Sequence, residues 1–154
     1  MMSLVLDFFV LIASFFAMEM VAWASHKYIM HGLGWEIHRD HHQPSQGTLQ
    51  RNDLFFLLFA IPAFLAIYHG TRLGYSWMVY LGAGISLYGL CYFLVHDVFI
   101  HQRFPWFTRT DNVYFRAIRK AHKIHHKSQG KKDGECFGML LVPIKYFRAA
   151  TANQ

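Results

Sequence analysis

Residues 76–95, SWMVYLGAGISLYGLCYFLV, run for twenty positions without a charge. A helix needs about that length to cross the hydrocarbon of a bilayer. Inside lipid, every backbone N–H and C=O must be satisfied within the segment, so this stretch commits the chain to transmembrane helices. Residues 3–25 form a second confident span, with Asp7 near its start and Glu19 deeper in. Residues 54–69 form a third, short for a crossing and bent by Pro62. The chain is 54% apolar and only 16% charged, against roughly a quarter charged in a soluble domain. Span 3–25 lacks a positive n-region and a small-residue cleavage site, and so reads as a retained helix rather than a signal peptide. The expected fold is an all-α integral membrane protein of about three to four transmembrane helices, one domain over residues 1–154.

Beyond the spans the chain is polar and basic. The 76–95 span is expected to continue as helix through residues 96–103 until the Phe104-Pro105-Trp106 break. Residues 112–127 make a basic amphipathic helix suited to the membrane surface, with Asp111-Asn112 as its cap. Asn52-Asp53 is the matching cap before residue 54. A loose SQGKKDGE loop leads into the apolar stretch 136–147, too short to span and expected to be interfacial or packed on the bundle. Fourteen of the fifteen Lys and Arg follow span 3–25 (before residue 54) or span 76–95, and only Arg72 lies in the loop between 54–69 and 76–95. The positive-inside rule then places segments 26–53 and 96–154 in the cytoplasm, in a multi-pass protein of the cell inner membrane. The net charge of +6 is thereby explained without nucleic acid. Cys91 and Cys136, far apart and without metal or redox spacing, are packing residues.

The pattern HxxxxH followed by HxxHH occurs twice: His26 and His31, then His38, His41 and His42; and His96 and His101, then His122, His125 and His126. On a helix, positions i, i+3 and i+4 share a face, so the three imidazoles of HxxHH can converge. Five residues apart, the HxxxxH pair differs by about 140° on an α-helix. That spacing suits either a distorted helix end or ligands to two different metals. Ten imidazoles exceed the four to six ligands of one ion, so two ions fit the count. Two crossings separate the halves, so all ten histidines return to one membrane face, while His69 falls at the other and is excluded. Imidazole suits iron, zinc, copper or nickel, so the donor set alone leaves the metal open. Scattered interfacial or pH-sensing histidines are the ordinary alternative, and the repeated register argues against it.

Metal-bound imidazoles usually donate their second N–H to a carboxylate or carbonyl. Asp40, inside the second cluster, and Asp97, four residues before His101, are candidates for that role. Glu19, seven residues before His26, is expected either to serve the site or to pair with another polar group. Asp7 reads as a solvated helix start. Gly82, Gly84 and Gly89 read as close helix packing rather than a nucleotide loop. Phe55, Phe56, Phe59, Tyr88, Tyr92 and Phe93 are candidates for a substrate channel, with lipid contact or core packing the ordinary fate of each.

With these motifs in hand, the chain resembles the bacterial carotenoid hydroxylases of the fatty acid hydroxylase superfamily. The resemblance rests on MEMVAWASHKYIMHGLGW, HRDHHQP, NDLFF, LYGLCYFLVHDVFIHQR and AHKIHH, in order over residues 18–140. It implies a non-haem di-iron monooxygenase, with zinc often replacing iron in recombinant protein. The implied reaction uses O2 to hydroxylate the β-ionone rings of β-carotene at C3 and C3′, giving β-cryptoxanthin and zeaxanthin. The chain has no haem, flavin or nicotinamide motif, so electrons come from outside, through a ferredoxin and its reductase. The basic surface of Arg116, Arg119, Lys120, Lys123 and Lys127 is suited either to that acidic donor or to anionic headgroups. A fatty acid or sterol hydroxylase and a histidine-rich metal transporter or sensor are the alternatives.

Overall fold

Among the described residues, six α-helices run in chain order as α1 (Met2–Ala24), α2 (Trp35–His42), α3 (Leu57–Leu73), α4 (Ser76–Tyr92), α5 (Val113–His125) and α6 (Ile144–Thr151). The computed structural model describes residues 2–43, 49–132 and 134–152. Pro44 of the HRDHHQP motif and Asp133 of the following loop lie outside them. Three continuous helical stretches are long and apolar enough to cross a membrane: Ser3–Leu33, Arg51–Leu73 and Ser76–Ile100. The expected number was three to four, and among the described residues it is three.

The central span is α4, which packs against both α1 and α3. Glycine permits both approaches. A Cβ on Gly82 would meet the Ala63 carbonyl oxygen at 2.6 Å, and one on Gly84 would strike Leu11 O and the Ser14 hydroxyl. Small residues let helices pack closely where lipid offers no hydrophobic drive to hold them together. The outer faces are apolar and exposed, as at Phe8, Phe16, Phe64 and Leu90. A conventional apolar core lies instead around the end of the Ser76–Ile100 stretch and along α5. Phe99, Ile100, Ile118 and Met139 form one cluster there, and Ala117, Ala121, Tyr146 and Ala150 join α5 to α6 in another.

Several local expectations change. The 3-10 turn Arg51–Phe56 leads into α3, and its cap is Gln50 in a reciprocal box with Asp53, not Asn52. Asn112 does cap α5, its Oδ1 accepting from the Tyr114 and Phe115 N–H groups. The extension of α4 ends at Ile100 rather than Arg103, and Gln102 takes a left-handed φ of 53°. Segment 136–147 does not form one apolar element: its first part is irregular chain, and α6 begins at Ile144 and packs on α5.

Candidate metal centre

His26 and His31 lie in the π-helix Ser25–Leu33, and His96 lies in the π-helix Phe93–Ile100, with His101 as its C-terminal cap. The N–H of His101 bonds the carbonyl of His96 at 2.9 Å, and that of Gly34 bonds Ile29 at 2.8 Å. A π-turn closes i to i+5, so residues five apart stack one turn above the other instead of diverging by about 140°. The rings of His26 and His31 are accordingly 5.2 Å apart, and those of His96 and His101 4.4 Å. Each pair therefore contributes to a single group of imidazoles, which favours the distorted-helix reading of the spacing over ligands to two different metals.

The HxxHH triplets do not converge as a unit. One nitrogen from each of His26, His31, His38, His42 and His125 lies within 4.8 Å of all the others, and the same holds for His41, His96, His101 and His122. His38, His42 and His122 stay with their own half, the i+3 members His41 and His125 cross to the other, and His126 lies between the groups, its ring also stacked on His42 at 4.5 Å. His126 is the repeat's counterpart of His42. Its ring lies 4.6 Å from His41, 4.8 Å from His101 and 4.5 Å from His122, and its Nε2 is buried without a partner. Of the ten, His101 and His126 are half-buried and the rest buried. His69 is exposed in the last turns of α3, outside both groups.

Hydrogen bonds outside each group fix what points inward. Nδ1 of His26 donates to Phe137 O (2.9 Å), His31 to Lys131 O (3.2 Å), His42 to Ser128 O (2.9 Å) and His125 to Glu135 O (2.8 Å). His38 donates to Asn52 Oδ1 at 2.6 Å, and His41 of the second group to Gln50 Oε1 at 2.9 Å. A carbonyl oxygen only accepts, so Nδ1 carries the proton and Nε2 presents a lone pair. In the first group these Nε2 atoms meet at 3.2–3.3 Å with no proton between them. Facing lone pairs repel, and a cation among them reverses the sign. The donor set therefore fits a metal.

Burial keeps these imidazoles neutral. Desolvation pushes His42 and His101 down to about 4, His38 and His125 to about 3 and His126 to about 2. Neighbouring histidines add to the effect, because a second imidazolium alongside would be repelled. Neutral imidazole is the form that binds metal.

The acidic candidates occupy different places. Asp97 Oδ1 lies 3.4 Å from His96 Nδ1, outside hydrogen-bond geometry, and 3.2 Å from Arg103 Nε. Asp40 reaches no histidine nitrogen; it accepts from the Arg51 and Asn52 N–H groups and so holds the turn that presents Asn52 and Gln50. Glu19 is in neither group; its oxygens take the Tyr88 hydroxyl and three backbone N–H groups. Sequence reasoning missed Gln50, Asn52 and Arg103. Arg103 donates to Gln50 Oε1 (2.6 Å) and Asp53 Oδ1 (2.9 Å), tying the two halves together. It also missed the carbonyls of 128–137, because backbone acceptors leave no side-chain signal.

The surroundings of the two groups differ. Trp35 and Phe137 cover the first, with ring centroids 5.2 and 5.1 Å from His31, and Phe55 packs on His38 at 6.2 Å. The second opens to a polar cavity of about 470 Å3 reaching Gln43, Gln50, Arg103, Lys123 and Gln129. Of the channel candidates, Phe55, Tyr88 and Tyr92 lie inward, Tyr92 against His96 at 4.7 Å, while Phe56 and Phe93 are exposed.

Comparison with known proteins agrees with this geometry. The family model described as Fatty acid hydroxylase matches residues 11–146. A "Beta-carotene hydroxylase" of Pantoea ananas is 42% identical over 126 residues, covering 82% of this chain and 71% of the relative. A second, of Pseudescherichia vulneris, is 40% identical and covers 85% and 74%. A third, of Paracoccus sp. (strain PC1), is 36% identical and covers 89% and 85%. No solved structure matches the chain. The chain thus belongs to the fatty acid hydroxylase family and, within it, to the β-carotene hydroxylases.

Proposed function

We propose that this protein hydroxylates the β-ionone rings of β-carotene at C3 and C3′, forming β-cryptoxanthin and then zeaxanthin, with O2 as oxidant and two iron ions as cofactor. The observation that carries the metal reading is the set of Nε2 lone pairs turned inward by Nδ1–H bonds to fixed acceptors. The relatives' names support the substrate. His26, His31, His38, His42 and His125 hold one ion, and His41, His96, His101, His122 and His126 the other. When bound, the pair supplies the means to cleave O2 and place one oxygen atom in an unactivated C–H bond, with external electrons and protons reducing the other to water.

The chain's own part is positioning and exclusion. The histidine end of the bundle adjoins the spans, so a ring can reach the centre while the polyene remains in hydrocarbon. The cavity beside the second group, lined by histidine, glutamine, arginine and lysine side chains with Ile100, suits water and proton traffic. The ring enters from the membrane flank. Arg103, Gln50 and Asp97 keep the second group's surroundings fixed. Charge asymmetry supports a cytoplasmic position for this end, at the inner membrane. Lys120, Lys123 and Lys127 line a shallow basic groove on the outer side of α5 and receive an acidic donor such as ferredoxin. Arg119 also borders that groove, but its guanidinium bonds the carbonyls of Phe99, Phe107 and Thr108.

Production in a host that accumulates β-carotene tests the assignment. Hydroxylated carotenoid is expected, at the expense of β-carotene. Unchanged β-carotene beside hydroxylated fatty acid or sterol would place the chain elsewhere in its family, and a keto product would make it a ketolase.

A further inference from the structure

Four of the five histidines in the first group donate Nδ1–H to carbonyls of a single segment, at Ser128, Lys131, Glu135 and Phe137. Among its described residues that segment has almost no regular structure of its own between the end of α5 and the start of α6. Cys136, between two of the accepting carbonyls, has a left-handed φ of 62°. Irregular backbone does not aim carbonyls accurately unless something outside it fixes the chain. The fixture is on α1. Glu19 Oε1 accepts from the N–H groups of Met139, Leu140 and Leu141 at 2.9, 2.9 and 3.0 Å, and Oε2 accepts from the Tyr88 hydroxyl at 2.7 Å.

The approach is tight from both sides. A Cβ on Gly138 would stand 3.1 Å from Glu19 Oε1 and 2.9 Å from Leu141 O. Only glycine lets the segment turn this close to the carboxyl group. Glu19 is 5% exposed and sits in a membrane span, where an ionisable side chain is costly unless its hydrogen bonds are made. It touches no histidine, and its bonds begin two residues after the carbonyl that holds His26.

We infer that Glu19 is a positioning residue for the first metal centre: it clamps the 139–141 backbone and so aims the 128–137 carbonyls at His26, His31, His42 and His125. The inference rests on the two-metal reading above, and it separates the centres, because no second-group histidine bonds to this segment.

The test pairs iron binding with hydrogen exchange of the metal-free protein, in Glu19→Leu, Glu19→Gln and Gly138→Ala. Glu19→Leu is expected to weaken one of the two iron sites by about 10–100-fold, the range for loss of an outer partner, and to leave the other unchanged. In the metal-free protein it should speed exchange of the 139–141 amides, while the exchange of α3 and α4 stays as in wild type. Glu19→Gln, whose amide oxygen still accepts, should restore both readouts. Gly138→Ala should reproduce the Leu phenotype from the other side of the contact. The double variant should be no worse than either single, because both break one interaction. Should Glu19→Leu not fold, Gly138→Ala carries the test alone. Two intact iron sites with unchanged 139–141 exchange in a folded variant, or fully additive losses in the double, would overturn the inference. A wild-type chain that binds no iron would instead overturn the metal reading, leaving the exchange result to judge the clamp.

Discussion

Combining His125→Ala with His26→Ala should leave about one iron per chain, whereas combining His125→Ala with His96→Ala should leave none. The first pair lies in one group and the second is divided between the two. A chain in which each half of the repeat kept its own ion would give the reverse, since His96 and His125 are half-mates. Activity should fall by more than about 100-fold in every one of these variants, beyond the range for outer partners. His69→Ala should retain most of it, because His69 is exposed at the far end of α3. Iron analysis of purified protein, beside pigment analysis of the producing cells, checks both parts. The crossing has a physical reason. In HxxHH, i and i+4 lie almost above one another, while i+3 is displaced around the helix. With two groups side by side, that displacement sends His41 and His125 across.

The second large effect concerns two residues that never touch a metal in this account. Asn52→Leu should weaken the first centre by about 10–100-fold, and Gln50→Leu should weaken the second by a similar factor. Asn52 Oδ1 takes the His38 Nδ1–H at 2.6 Å, and Gln50 Oε1 takes the His41 Nδ1–H at 2.9 Å. Replacing either acceptor with an apolar chain leaves a buried N–H unpaired and the ring free to turn or change tautomer. Asn52→Asp keeps an acceptor oxygen and should recover most of the loss, which a general folding defect would not allow. Iron affinities of the three variants, measured one centre at a time against a competing chelator, decide this. Equal binding in Asn52→Leu and wild type would show that His38 is oriented by something else.

The membrane character and the ten histidines were legible because each leaves a linear pattern. Twenty uncharged residues mark a span wherever they occur, and spacings of three and four mark a helical face. The HxxxxH spacing was legible but ambiguous. On an α-helix it spoils convergence, and only the π-helical turns at His26–His31 and His96–His101 make it a matched pair. Local propensity favours no π-turn, so the pattern alone does not announce one. The cradle at 128–137 was not legible at all. Its sequence is polar and glycine-containing, as a loose loop would be, and its contribution is carbonyl oxygen, which every residue has. Glu19 was singled out for being charged in a span, but only the structure shows that its partner is backbone 120 positions away. The cap at Gln50 was missed because glutamine is a weak capping signal beside the Asn-Asp that follows it.

The central claim is that ten histidines, five to a centre, hold two metal ions in one chain. Anaerobic titration of metal-free protein with ferrous iron, followed by iron analysis after removal of loosely bound ion, tests it most directly. Two tightly held irons per chain are expected; saturation at one, or no tight binding at all, would contradict the two-metal site.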